Sequence, residues 1–158
     1  MTASFLCCFD PQVDRLDSKR FAMWANLTKA FGIKLLLYGD PIPRTPKNTT
    51  IYPSIEHAQI DVNRKCLLKR QVEWVFMISP LSGRRLPYPK ALNEFTHPDE
   101  AVYVFGPDYE KNWEIEHFKI DHRVEVTTLQ GTGELHALMA ASIVAYDRWM
   151  LNAPFVAR

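Results

Sequence analysis

The last third of the chain constrains the fold most. Val102-Tyr103-Val104-Phe105 is an apolar, β-branched and aromatic run ended by Gly106-Pro107-Asp108. Arg123-Val124-Glu125-Val126 is a second such run, and Gly133 to Trp149 then carries helical periodicity. The order is strand, loop, strand, loop, long helix. Connections of that kind bring successive strands back parallel, and in an open α/β sheet the ligand site lies at the carboxyl ends of the strands. Both loops leave such ends, so a site is expected there.

The preceding residues extend the same alternation. Ala3 to Phe9 is an apolar strand, and Asp17-Ser18 offers an N-cap for a helix turning Phe21, Trp24, Leu27 and Phe31 inward, with Gly32 as its stop. Ile33 to Tyr38 is a buried-type strand, and Gly39 to Pro46 an irregular connection. Ser54 to His57 opens a second capped helix, and Val72 to Ile78 forms another core strand leading into Ser79-Pro80. The expected fold class is α/β, a mostly parallel open sheet of about five to six strands with helices on both faces. The 158 residues suit one domain, 1–158, and no internal repeat or low-complexity tail interrupts it.

In the final helix, Leu135, Leu138, Met139, Ser142, Ile143, Tyr146 and Met150 fall on one stripe. That stripe is expected to be buried, either as ordinary core or as core continued into a subunit interface. Ala137, Ala140, Ala141 and Ala145 allow close approach of a neighbouring element, and Trp149 is placed to seal the far end.

Charge narrows the function classes only partly. With 19 Lys plus Arg against 18 Asp plus Glu, no global basic field attracts nucleic acid, so RNA contact would require a local patch. Candidate patches are Arg64, Lys65, Lys69 and Arg70, which equally suit a solvated helix face, and the pair Arg84-Arg85. Tyr109 or Trp113 is available to stack on a base. The three cysteines include the adjacent Cys7 and Cys8, which point to opposite sides of a strand, so a disulfide framework is not expected and a reducing, cytoplasmic setting is. No apolar run approaches the roughly 20 residues of a membrane helix. The histidines show no ligand spacing with each other or with cysteine, so no metal is expected. Neither a G-x-G-x-x-G nor a P-loop is present.

Phe105-Gly106-Pro107-Asp108, taken with the strand ending at Val126-Thr127 and the Glu134-Leu135-His136 entry to an Ala-rich helix, resembles the second and third motifs of the SPOUT methyltransferases. Their TrmH/TrmL-like branch, tRNA ribose 2′-O-methyltransferases, is the part resembled. Phe76-Met77-Ile78-Ser79 is similar to the strand end before that family's cofactor pocket, and Lys29-Ala30-Phe31-Gly32 to the end of its first motif. The resemblance spans nearly the whole chain. It implies an α/β-knot with a carboxyl-terminal trefoil, a homodimer built on the last helix, S-adenosylmethionine as cofactor with S-adenosylhomocysteine as product, and RNA, possibly tRNA, as substrate.

Residue by residue, it implies a cofactor pocket from Ile78, Ser79, Phe105, Gly106, Pro107, Val126, Thr128, Leu129, Glu134 and Leu135. Gly106 either lets the chain approach a ligand or simply makes a tight turn, and Glu134 either faces a sulfonium or caps the helix. The chain departs from the family pattern at its catalytic positions. Where the family has Asn and, six residues later, Arg, this sequence has Arg20 and then Asn26. Asp108 stands for a Glu, Thr127 for a Pro, Glu134 for a Ser and His136 for an Asn, and no glycine follows the second motif. Arg20, Asn26 and His136 are the catalytic candidates, His136 because an imidazole can accept a proton near neutral pH. Two readings follow: a methyltransferase with a divergent active site, or a catalytically silent SPOUT-like protein serving as an RNA-binding or regulatory module.

Overall fold

The structure is a computed structural model and describes residues 2–9, 19–39, 50–66, 71–77, 89–106, 120–126 and 135–152, with Phe9, Arg20 and Cys66 defined by backbone alone. Its strands are β1 (Thr2–Phe9), β2 (Lys34–Gly39), β3 (Ile51–Tyr52), β4 (Glu73–Met77), β5 (Lys90–Ala91), β6 (Glu100–Phe105) and β7 (His122–Glu125). The helices are α1 (Lys19–Ala30), α2 (Ile55–Cys66) and α3 (Ala137–Asn152), with a 3-10 turn at Leu92–Glu94. Among the described residues the strands form one sheet in the order β3-β2-β1-β6-β4-β7-β5, and every pairing is parallel. The expected α/β class therefore holds. The two extra strands are two residues each, too short to leave a periodic signal in the sequence.

Each central strand is apolar on both sides because both faces are covered. One face gathers Phe5, Cys7, Val75, Met77, Tyr103, Phe105 and Val124 under α1 and α3; the other gathers Leu6, Leu36, Trp74, Phe76, Val102 and Val104 under α2. Aromatic rings fill the first layer edge to face: Phe5 meets Phe105 at 5.0 Å and Tyr103 at 5.6 Å, and Trp24 of α1 meets Phe105 at 5.6 Å. The helix stops and starts follow local chemistry. Gly32 takes φ 64° after α1, and the Ser54 hydroxyl accepts the His57 N–H at 3.2 Å to cap α2.

The expected burial of the α3 stripe within the chain holds only at its start, where Leu135 and Leu138 are half-buried and Leu138 packs on the core, and fails beyond it. Ala141, Val144, Ala145 and Arg148 are the buried residues of the helix, while Met139, Ile143, Tyr146 and Met150 are exposed. Large side chains from the sheet already occupy the intervening layer, so the helix seats its small-residue side there. Trp149 does reach Phe31, ring centroids 6.4 Å apart, but remains 51% exposed and seals nothing.

Two anchors fix the direction of α3. Near its end, the Arg148 guanidinium donates to the carbonyls of Pro98 (2.6 Å) and Asp99 (2.9 Å), just before β6 begins. Trp149 meets Phe31, just before β2 begins. The last turns of α3 thus lie at the amino edge of the sheet. From Arg148 back to Ala137 the helix runs about 16 Å, which matches the length of β6, so its first turn reaches the carboxyl edge. The same reasoning puts the first turn of α1 at that edge, because α1 links parallel β1 to β2.

Candidate functional site

The carboxyl edge is where the expected site residues that are described come together. Met77, the last residue of β4, is in register with Phe105 on one side and Val124 on the other, so the ends of β6, β4 and β7 are adjacent. Beyond them stand Gly106 and Val126, both half-buried, and Leu135 and His136 precede α3, the first half-buried and the second exposed. Phe105 and Met77 are buried beneath. Val126, Ala137 and Leu138 pack on the same cluster as Phe105. The result is an apolar floor with backbone ends and a helix amino terminus around it, the composition expected of a small-molecule site.

Of the catalytic candidates, Arg20 lies in the first turn of α1, on the same face and edge as His136, and only its backbone is described. Asn26 is exposed and about 9 Å farther along the helix, so it is not brought to the edge. Ile78, Ser79, Pro107, Thr128, Leu129 and Glu134 lie outside the described residues, as do Lys69, Arg70, Arg84, Arg85, Tyr109 and Trp113. Arg64 and Lys65 fall at the opposite edge, in the last turn of α2, and both pair with Asp61 at 3.2 and 2.8 Å. The Lys65 and Tyr52 hydrogen bonds hold the Asp61 carboxyl down at about 2, so one carboxylate offsets one of the two cations and the cluster keeps a net positive charge at this edge. Among the described residues no group of His, Cys, Asp and Glu is arranged to hold a metal, and no helix is long and apolar enough to cross a membrane.

Two polar features are not singled out by any motif. The Tyr38 hydroxyl of β2 donates to the carbonyl of Phe105 at 3.1 Å, across β1. At the other edge, His97 lies within hydrogen-bonding distance of Tyr103 (Nδ1 to the hydroxyl, 2.6 Å) and of Asp147 (Nε2 to the carboxylate, 2.8 Å). Arg148 also donates to the Tyr103 hydroxyl at 3.1 Å. The neutral Nε2–H tautomer satisfies the whole chain: arginine to phenol, phenol to Nδ1, Nε2–H to carboxylate. Burial lowers the His97 pKa and Arg148 adds to that, against Asp147; burial raises the Tyr103 hydroxyl to about 12. The sequence signal was the charged pair Asp147-Arg148 inside an otherwise apolar helix.

No protein-family model matches the chain, and no curated protein sequence does. Solved structures do. The SpoU methyltransferase AviRb from Streptomyces viridochromogenes superposes with TM-score 0.71 at 13% identity, covering 98% of this chain and 62% of AviRb, so the chain spans about three-fifths of that relative. AviRb in complex with AdoMet superposes with TM-score 0.69 over 97% of this chain and 61% of AviRb, at 13% identity. A structure concerning the 2-OH methylation of C/U34 on tRNA matches with TM-score 0.61 at 13% identity, over 97% of this chain and 98% of the other. TrmJ from Z. mobilis ZM4 matches with TM-score 0.59 at 14% identity, over 100% of this chain and 73% of its own. The seven-stranded parallel sheet with its flanking helices thus has the fold of the SpoU-type methyltransferases, as the motif resemblance implied.

Proposed function

We propose that the chain is an S-adenosylmethionine-dependent RNA ribose 2′-O-methyltransferase with a divergent active site, its substrate most naturally a tRNA. The observation that carries this reading is the convergence of Phe105, Gly106, Val126 and Leu135 on the carboxyl edge, in a fold shared with a methyltransferase solved with AdoMet. The residues fit the cofactor: Gly106 presents no Cβ, and half-buried apolar side chains flank it for a flat purine. Ile78, Ser79, Pro107, Thr128, Leu129 and Glu134 complete the pocket in this proposal.

When bound, S-adenosylmethionine supplies an electrophilic methyl group and leaves as S-adenosylhomocysteine. The protein must then orient the ribose 2′-hydroxyl and accept its proton. His136, exposed at the start of α3, takes the proton on a ring nitrogen, and Arg20, from the first turn of α1, steadies the oxygen as it loses it. Asn26 belongs to the proposal only if the substrate, rather than the edge, is its partner.

A homodimer is part of the same proposal, as is the carboxyl-terminal knot. Six large apolar residues of α3, Met139, Ile143, Tyr146, Trp149, Met150 and Leu151, are 42% to 66% exposed. A concentration of that kind on one helix exceeds the scatter normal on a monomer surface, and a second copy would cover it. The test is calorimetric titration with S-adenosylmethionine and S-adenosylhomocysteine, followed by methyl transfer to RNA. Saturable binding with transfer lost in His136→Ala supports the enzyme. Binding without transfer leaves the silent RNA-binding or regulatory module, and no binding refutes the cofactor.

A further inference from the structure

We propose that Tyr38 is a positioning residue for the cofactor site, acting through the Phe105 carbonyl; this rests on the cofactor reading above and extends it. Its hydroxyl donates to that carbonyl at 3.1 Å, a bond that can run only one way because a carbonyl has no proton to give. Tyr38 is on β2 and Phe105 on β6, with β1 between them, so the phenol spans a whole strand. In register, Tyr38 lies beside Cys8 of β1, and Phe105 beside Cys7. The bond ties the ends of two strands that the backbone ladder does not join.

The carbonyl it holds belongs to the peptide unit between Phe105 and Gly106. That unit is planar, so fixing its oxygen fixes the direction of the Gly106 N–H and the angle at which the chain leaves β6. Gly106 is also the residue with the most backbone freedom at this corner. A glycine there permits close approach of a ligand, and it leaves the corner less defined than any other residue would. Tyr38 restores the definition from the side, without placing a side chain in the ligand's way. A site whose backbone is held before the ligand arrives binds it more tightly than one that must be ordered on binding.

The next residue supports the same role. Gly39 ends β2 with φ 147°, a conformation that favours glycine, so the phenol sits on the residue just before a backbone position that a side chain would strain. The neighbouring Tyr52 of β3, in register with Tyr38, makes an ideal comparison: its hydroxyl donates to Asp61 of α2 at 2.7 Å, not to β6.

The experiment compares wild type, Tyr38→Phe and Tyr52→Phe by amide hydrogen exchange without ligand and by calorimetric titration with S-adenosylmethionine. Loss of one hydrogen bond of ordinary strength corresponds to about five-fold weaker cofactor binding for Tyr38→Phe, with binding unchanged in Tyr52→Phe. Exchange across residues 102–106 should rise in Tyr38→Phe alone. Equal affinities in wild type and Tyr38→Phe, or equal weakening in both variants, would overturn the proposal. If wild type binds no cofactor, the functional reading fails, and exchange still decides the brace: no faster exchange in Tyr38→Phe overturns it too.

Discussion

Arg148→Ala tests how α3 is held to the sheet. The guanidinium makes three hydrogen bonds, to the Pro98 carbonyl at 2.6 Å, the Asp99 carbonyl at 2.9 Å and the Tyr103 hydroxyl at 3.1 Å. Their loss is not equally costly. The Asp99 carbonyl keeps the Thr2 N–H at 3.1 Å and the Tyr103 hydroxyl keeps His97, whereas the Pro98 carbonyl is buried and loses its donor. A buried group left without its charged partner costs about 1–3 kcal/mol, so the Pro98 carbonyl and the lost side-chain packing give about 2–4 kcal/mol. Against a typical domain stability of about 5–15 kcal/mol, that is a large fraction. Urea unfolding at fixed protein concentration, followed through the buried Trp24 and Trp74, should show the midpoint falling by about 1–2 M. Arg148→Lys should fall between, since a single ammonium cannot serve two carbonyls and a phenol with the arginine fork. A loss under about 1 kcal/mol for Arg148→Ala, or a Lys variant as stable as wild type, refutes the reasoning.

His97 predicts a pH dependence. Its folded pKa lies below the ordinary 6.5, so the unfolded chain takes up the proton first, and stability falls as pH drops below about 6.5 until the folded pKa is passed. Urea midpoints at pH 7.5 and 5.5 should differ in wild type and differ less in His97→Gln; a midpoint that rises on acidification contradicts the sign. Gly32→Ala should cost about 1 kcal/mol, seen as a melting shift of a few degrees, because φ is 64° while a Cβ there meets nothing within 4 Å. Ile143→Glu should convert the proposed dimer to monomers in sedimentation, and an unchanged mass would remove α3 from the interface.

The core strands and helices were legible because each carries a periodicity or a terminator: Val102 to Phe105, Val72 to Ile78, Ser54 before α2, Gly32 after α1. The sidedness of α3 was not. Its sequence holds two apolar stripes, one large and one small, and periodicity reports that a stripe exists without saying which one meets the sheet. What decides is the volume already supplied by Phe5, Tyr103 and Phe105, a property of other segments of the chain. Tyr38 and His97 escaped for the same reason, since their partners lie 67 and 6 to 50 residues away and no local rule joins them. The two edges of the sheet thereby acquire opposite characters. At the amino edge Arg148 and His97 are engaged in a buried network with Pro98, Asp99, Tyr103 and Asp147, while the carboxyl edge ends in a glycine, half-buried apolar side chains and the start of a helix. In an open α/β sheet the ligand site lies at the carboxyl ends of the strands, and the motif residues of this sequence that are described cluster there.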